Sequence, residues 1–215
     1  MHKFLIYPGQ SFNYKSSTIA RRVNCLRSFF NFCVDQDYII VSPDRKIKPP
    51  KLPKRIPVYL REGELQRLLH TPESMKDIDE MWLQDKAMLH ILAFCGLRRS
   101  ELLSLNWDNI DFKNATLKVR GKGDLERIVP LKSDVCDLLW DYLQTRLPLT
   151  HRALFLNEKG NRLDKDTVRR RFRACVQQAG LDAPVITPHK LRHTFHVPAF
   201  FRSAICICQS KSLPQ

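Results

Sequence analysis

Five prolines between residues 43 and 59 constrain how this 215-residue chain folds more than any other feature of its sequence. They are Pro43, Pro49, Pro50, Pro53 and Pro57. Because proline lacks a backbone donor and disfavours helix, these residues predict an extended linker. Basic side chains are interleaved with the prolines, and a basic extended segment can lie along a phosphate backbone. We therefore expect a partial helical domain at 1–42, the linker at 43–59 and a larger domain from residue 60.

The positive charge of the chain is concentrated towards its two ends. Lys and Arg number 36 and Asp and Glu number 22, which gives a net charge of +14. Residues 1–60 hold 11 basic and 3 acidic side chains, and residues 151–215 hold 12 and 4, a net of +8 in each segment. Residues 61–150 hold 13 and 15, a net of −2. Two basic blocks around a near-neutral middle favour a polyanion such as nucleic acid as the partner, the alternative being charge that is simply solvated.

Composition and segment lengths argue against several classes of protein. Hydrophobic residues make up 43% of the chain and charged residues 27%, which is typical of a folded globular protein. The best apolar candidate for a membrane span, Val197–Cys208, is interrupted by Arg202 and falls short of the roughly 20 residues required. The seven cysteines are scattered without a Cys-x-x-Cys pair, which argues against a zinc site or a disulfide framework. We expect a cytoplasmic protein with no metal and no membrane association.

Apolar residues recur every three to four positions along most of the chain, which predicts a mainly α-helical fold. Helices are expected from Ile19 behind a Ser17-Thr18 cap, near Glu62–Leu69, over Asp79–Cys95 with Gly96 at its end, after Arg98, from Ser133, from an Asp166 cap, and from Thr187-Pro188. The helix after Asp166 has an apolar inner face. Its outer side is expected to carry Arg169, Arg170, Arg171 and Arg173.

Strict alternation predicts one β-hairpin within this helical background. Thr116–Arg120 alternates, Gly121–Asp124 has the composition of a turn, and Arg127–Leu131 alternates again. A further short strand is expected at Ala153–Asn157. The predicted fold class is therefore mainly α with a small antiparallel sheet.

Four side chains from three distant segments can form one phosphate site. His189 and Arg192 are three residues apart at the start of a helix, so they share a face where free amides already favour an anion. Arg192 and Arg98 can each clamp two phosphate oxygens, and Lys122 on the hairpin turn can reach a leaving oxygen. Two arginines can compensate the charge of a phosphoryl transition state.

Each of these residues taken alone also has a simpler interpretation. Arg98 can be the ion-pair partner of Glu101 three residues later, and Lys122 can be a solvated turn residue. His189 can serve only in packing or capping. No cluster of acidic residues of the two-metal type accompanies them in the sequence, which disfavours a metal-dependent nuclease.

The order and spacing of three motifs resemble a known family. The motifs are Gly96-Leu-Arg-Arg-Ser-Glu-Leu-Leu103, the Gly121-Lys-Gly123 turn before Arg127-Ile-Val-Pro-Leu131, and His189-Lys-Leu-Arg192. From about Ser17 to Phe195 the chain is similar to tyrosine recombinases of the phage-integrase and Xer type. The resemblance implies a helical catalytic domain with a small sheet at 60–195, preceded by a helical core-binding domain.

The resemblance also implies a role for each matched residue. Arg98 and Arg192 correspond to the two catalytic arginines, His189 to the proton shuttle and Lys122 to the general acid on the 5′ oxygen, while Glu101 supports the arginines. In the family a tyrosine attacks DNA and forms a 3′-phosphotyrosyl link, as in type IB topoisomerases. The bond energy is kept in that link, so the resemblance implies no cofactor and no essential metal.

Double-stranded DNA is the implied partner, together with further recombinase subunits, because the family works as a tetramer on DNA. Basic residues outside the catalytic motifs are candidates for contacts with the duplex. They are Arg21, Arg22, Lys46, Lys48, Lys51, Lys54, Arg55, Arg169 and Arg170.

The match to the family ends after Phe195. Residues 196–215 resemble nothing in the family pattern, and the helical segment before the linker is shorter than the family's, so we expect a chain truncated at both ends. All five tyrosines precede His189, and Tyr142 lies on an apolar helix face that is expected to be core. We therefore expect no nucleophile within this chain and no activity from it alone. The alternatives are a tyrosine supplied by another subunit, a non-catalytic DNA-binding remnant, and a helical interaction protein.

Overall fold

The computed structural model describes residues 14–52, 60–77, 79–121, 123–183 and 185–195. The side chains of residues 193–195 are not described. The chain divides into two compact units, Met1–Ile56 and Pro57–Gln215. The assignment of the first unit as a core-binding domain stays a prediction. The predicted non-matching tail, residues 196–215, lies outside the described residues.

The first unit contains one long helix, α1, which spans Ser16–Asp35. The predicted start at Ile19 behind a Ser17-Thr18 cap is wrong. Lys15 occupies the N-cap position without a side-chain cap bond, and its carbonyl accepts the amide of Thr18 at 2.8 Å. Ala20 and Val23 are the buried residues of this helix.

The segment after α1 is less extended than its prolines predict. Residues 43–46 form a turn, and the side chain of Asp44 is almost wholly buried. Arg27 of α1 holds this turn, because its Nε donates to Asp44 at 3.1 Å and its Nη2 donates to the carbonyl of Ile47 at 2.9 Å. A partly buried ion pair thus holds the first part of the segment against the helix.

Six α-helices of the second unit are described, and they form its bulk. They are α2 (Glu62–His70), α3 (Trp82–Phe94), α4 (Arg99–Ser104), α5 (Ser133–Thr145), α6 (Lys165–Gln178) and α7 (Pro188–Phe195), with 3₁₀ turns at Thr71–Met75 and Trp107–Asn109. Helix α3 is followed by Gly96 at φ 56°, a left-handed conformation that glycine adopts at little cost and that ends the helix as predicted.

The sheet has three antiparallel strands in the order β1 (Ile110–Asp111), β2 (Thr116–Arg120) and β3 (Glu126–Pro130). In the predicted hairpin, Lys118 pairs with Ile128 and Arg120 pairs with Glu126. Leu117 and Val119 are fully buried, which anchors the inner face of β2 on the helical core. The predicted fold class is confirmed.

Two local predictions in this unit are wrong. Residues 153–157 form isolated bridges and no strand, and the side chain of Gln84 bonds both the amide and the carbonyl of Leu156 at 2.9 Å. Helix α6 is capped two residues earlier than expected. Asp164 accepts the amides of Asp166 and Thr167 at 2.9 and 2.8 Å.

A single hydrophobic cluster joins the elements of the second unit. Its fully buried members include Met88 of α3, Leu102 of α4, Leu139 of α5 and Val168 of α6. Burial of this kind is the main stabilising term in folding. Within the described ranges, none of the helices has the length and apolarity to cross a bilayer.

Candidate active site

The carboxylate of Glu101, in helix α4, is the centre of the site. Only 3% of the residue is exposed, yet it is charged, and a buried charge requires charged or hydrogen-bonded partners. Its Oε1 accepts from Arg98 Nη1 at 3.0 Å and from Arg127 Nη1 at 3.1 Å. Its Oε2 accepts from the backbone amide of Arg98 and from Arg127 Nη2, both at 2.8 Å. The carboxylate therefore receives four hydrogen bonds, which is its full capacity.

These bonds explain the acidity of Glu101. Burial alone would raise the pKa of this carboxyl, but hydrogen bonds from the Arg127 guanidinium and from Arg98 outweigh burial and lower its pKa to about 2. The same contact raises the pKa of Arg127 above its ordinary value. Glu101 is consequently ionised at neutral pH.

A third arginine approaches the same carboxylate from helix α7. Arg192 Nη1 lies 3.6 Å from Glu101 Oε2, close enough for an ion pair. This nitrogen is buried and donates no hydrogen bond within the described part of the chain. Burial, followed by repulsion from Arg98 and Arg127, lowers the pKa of Arg192. One carboxylate thus faces three guanidinium groups, and the cluster carries excess positive charge.

The predicted residues Arg98 and His189 meet at one cavity of about 410 Å³. The cavity is walled by the start of α4, the start of α7 and the first residue of α6, Lys165. Thr187 caps α7, because its Oγ1 accepts the amide of Lys190 at 3.3 Å. His189 and Arg192 lie three residues apart in the first two turns of α7, a spacing that places two side chains on the same side of a helix.

Lys122 lies outside the described residues, so its position stays a prediction. Its neighbour Gly121 is described and lies next to the cluster. A Cβ at Gly121 would stand 3.6 Å from Arg127 Nη1 and 3.8 Å from Glu101 Oε1. The base of the hairpin turn is therefore in contact range of the Glu101 carboxylate.

Two residues of this site, Arg127 and Lys165, are not among those that the sequence predicts for it. Arg127 occupies an alternating position of strand β3, which predicts its strand but not its partner 26 residues away. A signal was present in the sequence, because Arg127 stands in the same hairpin motif as Lys122. Lys165 directly follows the cap of α6, and no pattern in the sequence marks it as a cavity residue.

The predicted position of Arg171 is wrong. The sequence suggested that it lies on the outer side of α6 with its basic neighbours, but only 10% of its side chain is exposed. Its Nη2 donates to Asp79 and its Nε donates to Asp85, both at 2.7 Å. Position 171 lies three residues after Val168, so it belongs to the buried stripe of the helix.

The remaining candidates for DNA contact lie on the surface wherever they are described. Arg21, Lys46, Lys48, Lys51, Arg169 and Arg170 are exposed, and Arg22 is half-buried with its guanidinium 4.0 Å from the centre of the Tyr14 ring. Arg170 also lies 3.8 Å from Glu158. Lys54 and Arg55 fall outside the described residues.

The chemistry of the cluster is that of an anion site. Three guanidinium groups share one negative charge, and planar guanidinium groups match the oxygens of a phosphate or carboxylate. Among the residues that the structure describes, no group of three His, Cys, Asp or Glu side chains could hold a metal ion. Fold and site together define a mainly helical protein with a guanidinium-rich site beside a β-hairpin.

Comparison with known sequences identifies the family. The sequence profile of the phage integrase family matches residues 58–197, and the chain belongs to that family. The resemblance to tyrosine recombinases is thereby confirmed.

Individual relatives agree with this assignment. The chain is 36% identical to the tyrosine recombinase XerD of Proteus mirabilis over 187 residues, covering 85% of this chain and 59% of XerD. It is 34% identical to the tyrosine recombinase XerC of Natranaerobius thermophilus over 192 residues, covering 85% and 62%. Its fold matches the crystal structure of the XerH site-specific recombinase bound to its difH substrate in a pre-cleavage complex, with a TM-score of 0.70 at 25% identity over 94% of this chain and 58% of XerH. The chain thus spans about three fifths of the curated relatives it matches.

Proposed function

We propose that this chain binds double-stranded DNA and holds one phosphodiester at the arginine cluster, as part of site-specific recombination by DNA strand breakage and rejoining. The observation that carries the proposal is the convergence of Arg98, Arg127 and Arg192 on the single buried carboxylate of Glu101. A cluster with more guanidinium groups than carboxylates attracts an anion, and DNA offers a phosphate every few ångströms.

Each side chain has a defined role in this proposal. Arg98 and Arg192 clamp the non-bridging oxygens and stabilise the extra charge that develops when the phosphorus becomes five-coordinate. His189, which lines the same cavity as Arg98, moves the proton of the attacking group. Lys122 protonates the leaving 5′ oxygen. The proposal assigns no cofactor.

The tyrosines decide what this chain can do by itself. Tyr142 is 3% exposed, and its hydroxyl is bonded to Gln84 at 2.7 Å, to the carbonyl of Leu154 at 3.0 Å and to Arg146 at 3.0 Å. Burial raises the pKa of Tyr142, which disfavours the phenolate that would attack phosphorus. Tyr142 is therefore a core residue, as the sequence predicts, and no tyrosine follows it within these 215 residues.

It follows that these 215 residues bind DNA without forming a covalent link to it. A tyrosine supplied by another subunit would complete the reaction, in keeping with a tetramer on DNA. The second candidate function, a DNA-binding module that retains only the phosphate clamp, is favoured by this distribution of tyrosines.

Basic residues away from the cluster extend the proposed contact with the duplex. Arg169 and Arg170 lie on the exposed side of α6, and Lys46, Lys48 and Lys51 are exposed in the first unit. Contacts of this type fix the position of a protein on DNA and make affinity fall steeply with salt.

The test uses the 215-residue chain with a nicked duplex that traps phosphotyrosyl adducts. We expect salt-dependent binding by fluorescence anisotropy, about tenfold weaker in Arg98→Gln and Arg192→Gln, and no adduct on a denaturing gel. The control is Arg152→Gln, which removes an exposed arginine that pairs only with exposed Asp108 in the described structure. An adduct would overturn the non-covalent proposal. Absence of DNA binding, or binding indifferent to Arg98 and Arg192, would favour a helical interaction protein instead.

A further inference from the structure

Arg127 is the member of the cluster to which neither the sequence motifs nor the proposed chemistry gives a role. It comes from strand β3, at the far end of the hairpin turn that carries Lys122, and 38% of its side chain is exposed. Its two terminal nitrogens donate side by side to the two oxygens of Glu101, at 3.1 and 2.8 Å. This paired geometry is the strongest that an arginine makes with a carboxylate.

The hydrogen bonds at Glu101 show what this paired contact does. A carboxylate accepts about four hydrogen bonds, and Arg127 occupies two of the four that Glu101 receives. Arg98 occupies the other two through its backbone amide and Nη1. No acceptor position is left for Arg192, which stays 3.6 Å away, beyond hydrogen-bond distance.

Arg192 Nη1 is therefore a buried donor without an acceptor among the described residues. A buried donor without a partner is unfavourable until an acceptor arrives. A phosphate oxygen would be such an acceptor. If Arg127 were absent, Glu101 would have two vacant acceptor positions, and a shift of less than about 1 Å would let Arg192 fill one of them.

We propose that Arg127 is a positioning residue that saturates Glu101 and so keeps Arg192 available for the DNA phosphate. The same contact holds the base of the hairpin turn beside the cluster, because Gly121 lies against both Arg127 and Glu101. Arg127 acts through Glu101 and does not itself contact the phosphate. This inference rests on the proposed function, since it concerns the same phosphate site.

A double-mutant cycle on DNA binding tests the inference. Duplex affinity is measured at one fixed salt concentration for the wild-type chain, Arg127→Gln, Arg192→Gln and the double variant. We expect each single variant to bind about tenfold more weakly, and the double variant to bind no more weakly than either one, because Arg127 works only through Arg192. Arg152→Gln controls for the loss of one positive charge and should bind like the wild type.

Arg127→Lys separates charge from geometry and serves also if Arg127→Gln does not fold. Lysine keeps the charge but cannot donate two parallel bonds, so we expect it to bind as weakly as Arg127→Gln. Additive losses in the cycle, near one hundredfold in the double variant, would overturn the inference, and so would wild-type affinity in Arg127→Lys. If Arg98→Gln and Arg192→Gln leave affinity unchanged, it is the proposed function that fails. If Arg98→Gln and Arg192→Gln both weaken binding, and the loss from Arg127→Gln adds to the loss from Arg192→Gln, only the present inference fails.

Discussion

Two buried ion networks of the second unit have opposite stoichiometry. At the candidate site, three arginines share the one carboxylate of Glu101. Between α6 and α3, one arginine, Arg171, is shared by the two carboxylates of Asp79 and Asp85. Both networks are built from the same two kinds of side chain, and both centre on a residue that is almost wholly buried.

The difference distinguishes the proposed binding site from a structural ion network between two helices. At Arg171, Nε and Nη2 each donate to a carboxylate at 2.7 Å, and only 10% of the side chain is exposed. At Glu101 the carboxylate accepts four hydrogen bonds, the guanidinium groups are in excess, and Arg192 Nη1 has no hydrogen-bond acceptor among the described residues. The ratio of positive to negative groups in a buried network is thus more informative about function than the number of ion pairs.

The largest effect is expected from breaking the structural network. Arg171→Met removes the guanidinium partner of the buried Asp85 and of Asp79, whose side chain is 24% exposed, and should lower the free energy of unfolding by about 3–5 kcal/mol, measured by urea denaturation. Arg170→Met, one residue away and exposed, is the control and should leave stability nearly unchanged. Equal stability of the two variants would contradict the assignment of Arg171 as a tie between helices.

The loss of stability at low pH should depend on the network around Glu101. The pKa of Glu101 is lowered from 4.5 to about 2, so the stability it contributes is complete above pH 4.5 and is lost as the pH falls from there towards 2. The size of this contribution is about 3 kcal/mol, and Glu101→Gln should remove it from the pH dependence of urea unfolding.

Glu64 supplies the matched control for this measurement. It accepts the backbone amide of Arg61 at 2.8 Å, as Glu101 accepts that of Arg98, but no guanidinium hydrogen bond to it is found among the described residues. Glu64→Gln should therefore preserve most of the acid dependence. A similar loss in both variants would assign the effect to helix capping and not to the arginine cluster.

Removing an arginine from the binding network should affect the ligand more than the fold. Arg192→Gln is expected to weaken DNA binding by about 1.4 kcal/mol, a factor of ten, and to change the free energy of unfolding by less than that. Anisotropy titrations and urea denaturation on the same preparation compare the two quantities. A variant that unfolds readily but, where folded, binds DNA normally would place Arg192 with Arg171 as a structural residue.

The smallest effect is expected at the exposed arginines of α6. Arg169→Gln and Arg170→Gln should each reduce the slope of log affinity against log salt by about one, because each removes one proposed phosphate contact. Affinity at low salt should fall only a few-fold. An unchanged slope in both variants would remove this face of α6 from the proposed DNA contact.

The sequence predicted much of the fold where the signal is local. The β-hairpin follows from alternation across a glycine turn, and the end of α3 follows from Gly96, which takes up the left-handed conformation that the pattern implies. The strand predicted at 153–157 does not form, and no local pattern indicates this. The backbone of Leu156 is satisfied by Gln84, 72 positions away, and no pattern within the segment predicts that contact.

In the candidate site, too, local motifs were predictable from the sequence and non-local contacts were not. Arg98, Glu101 and Arg192 are predictable from their motifs, and the structure brings them into one ion cluster. Arg171 was misplaced because four basic residues among five look like a solvated face, although position 171 lies on the buried stripe of its helix. Arg127 was missed because its strand position says nothing about which carboxylate it meets.

The amino-acid sequence by itself determined the helices, the hairpin and the family to which the chain belongs, because hydrophobic periodicity, turn residues and short motifs act over a few neighbouring positions. The tertiary structure alone decided which charges are paired and which are left over. Arg171 and Asp79 are separated by 92 positions, and Arg127 and Glu101 by 26. Electrostatic and hydrogen-bonding interactions depend on distances of a few ångströms, and only the folded chain sets those distances.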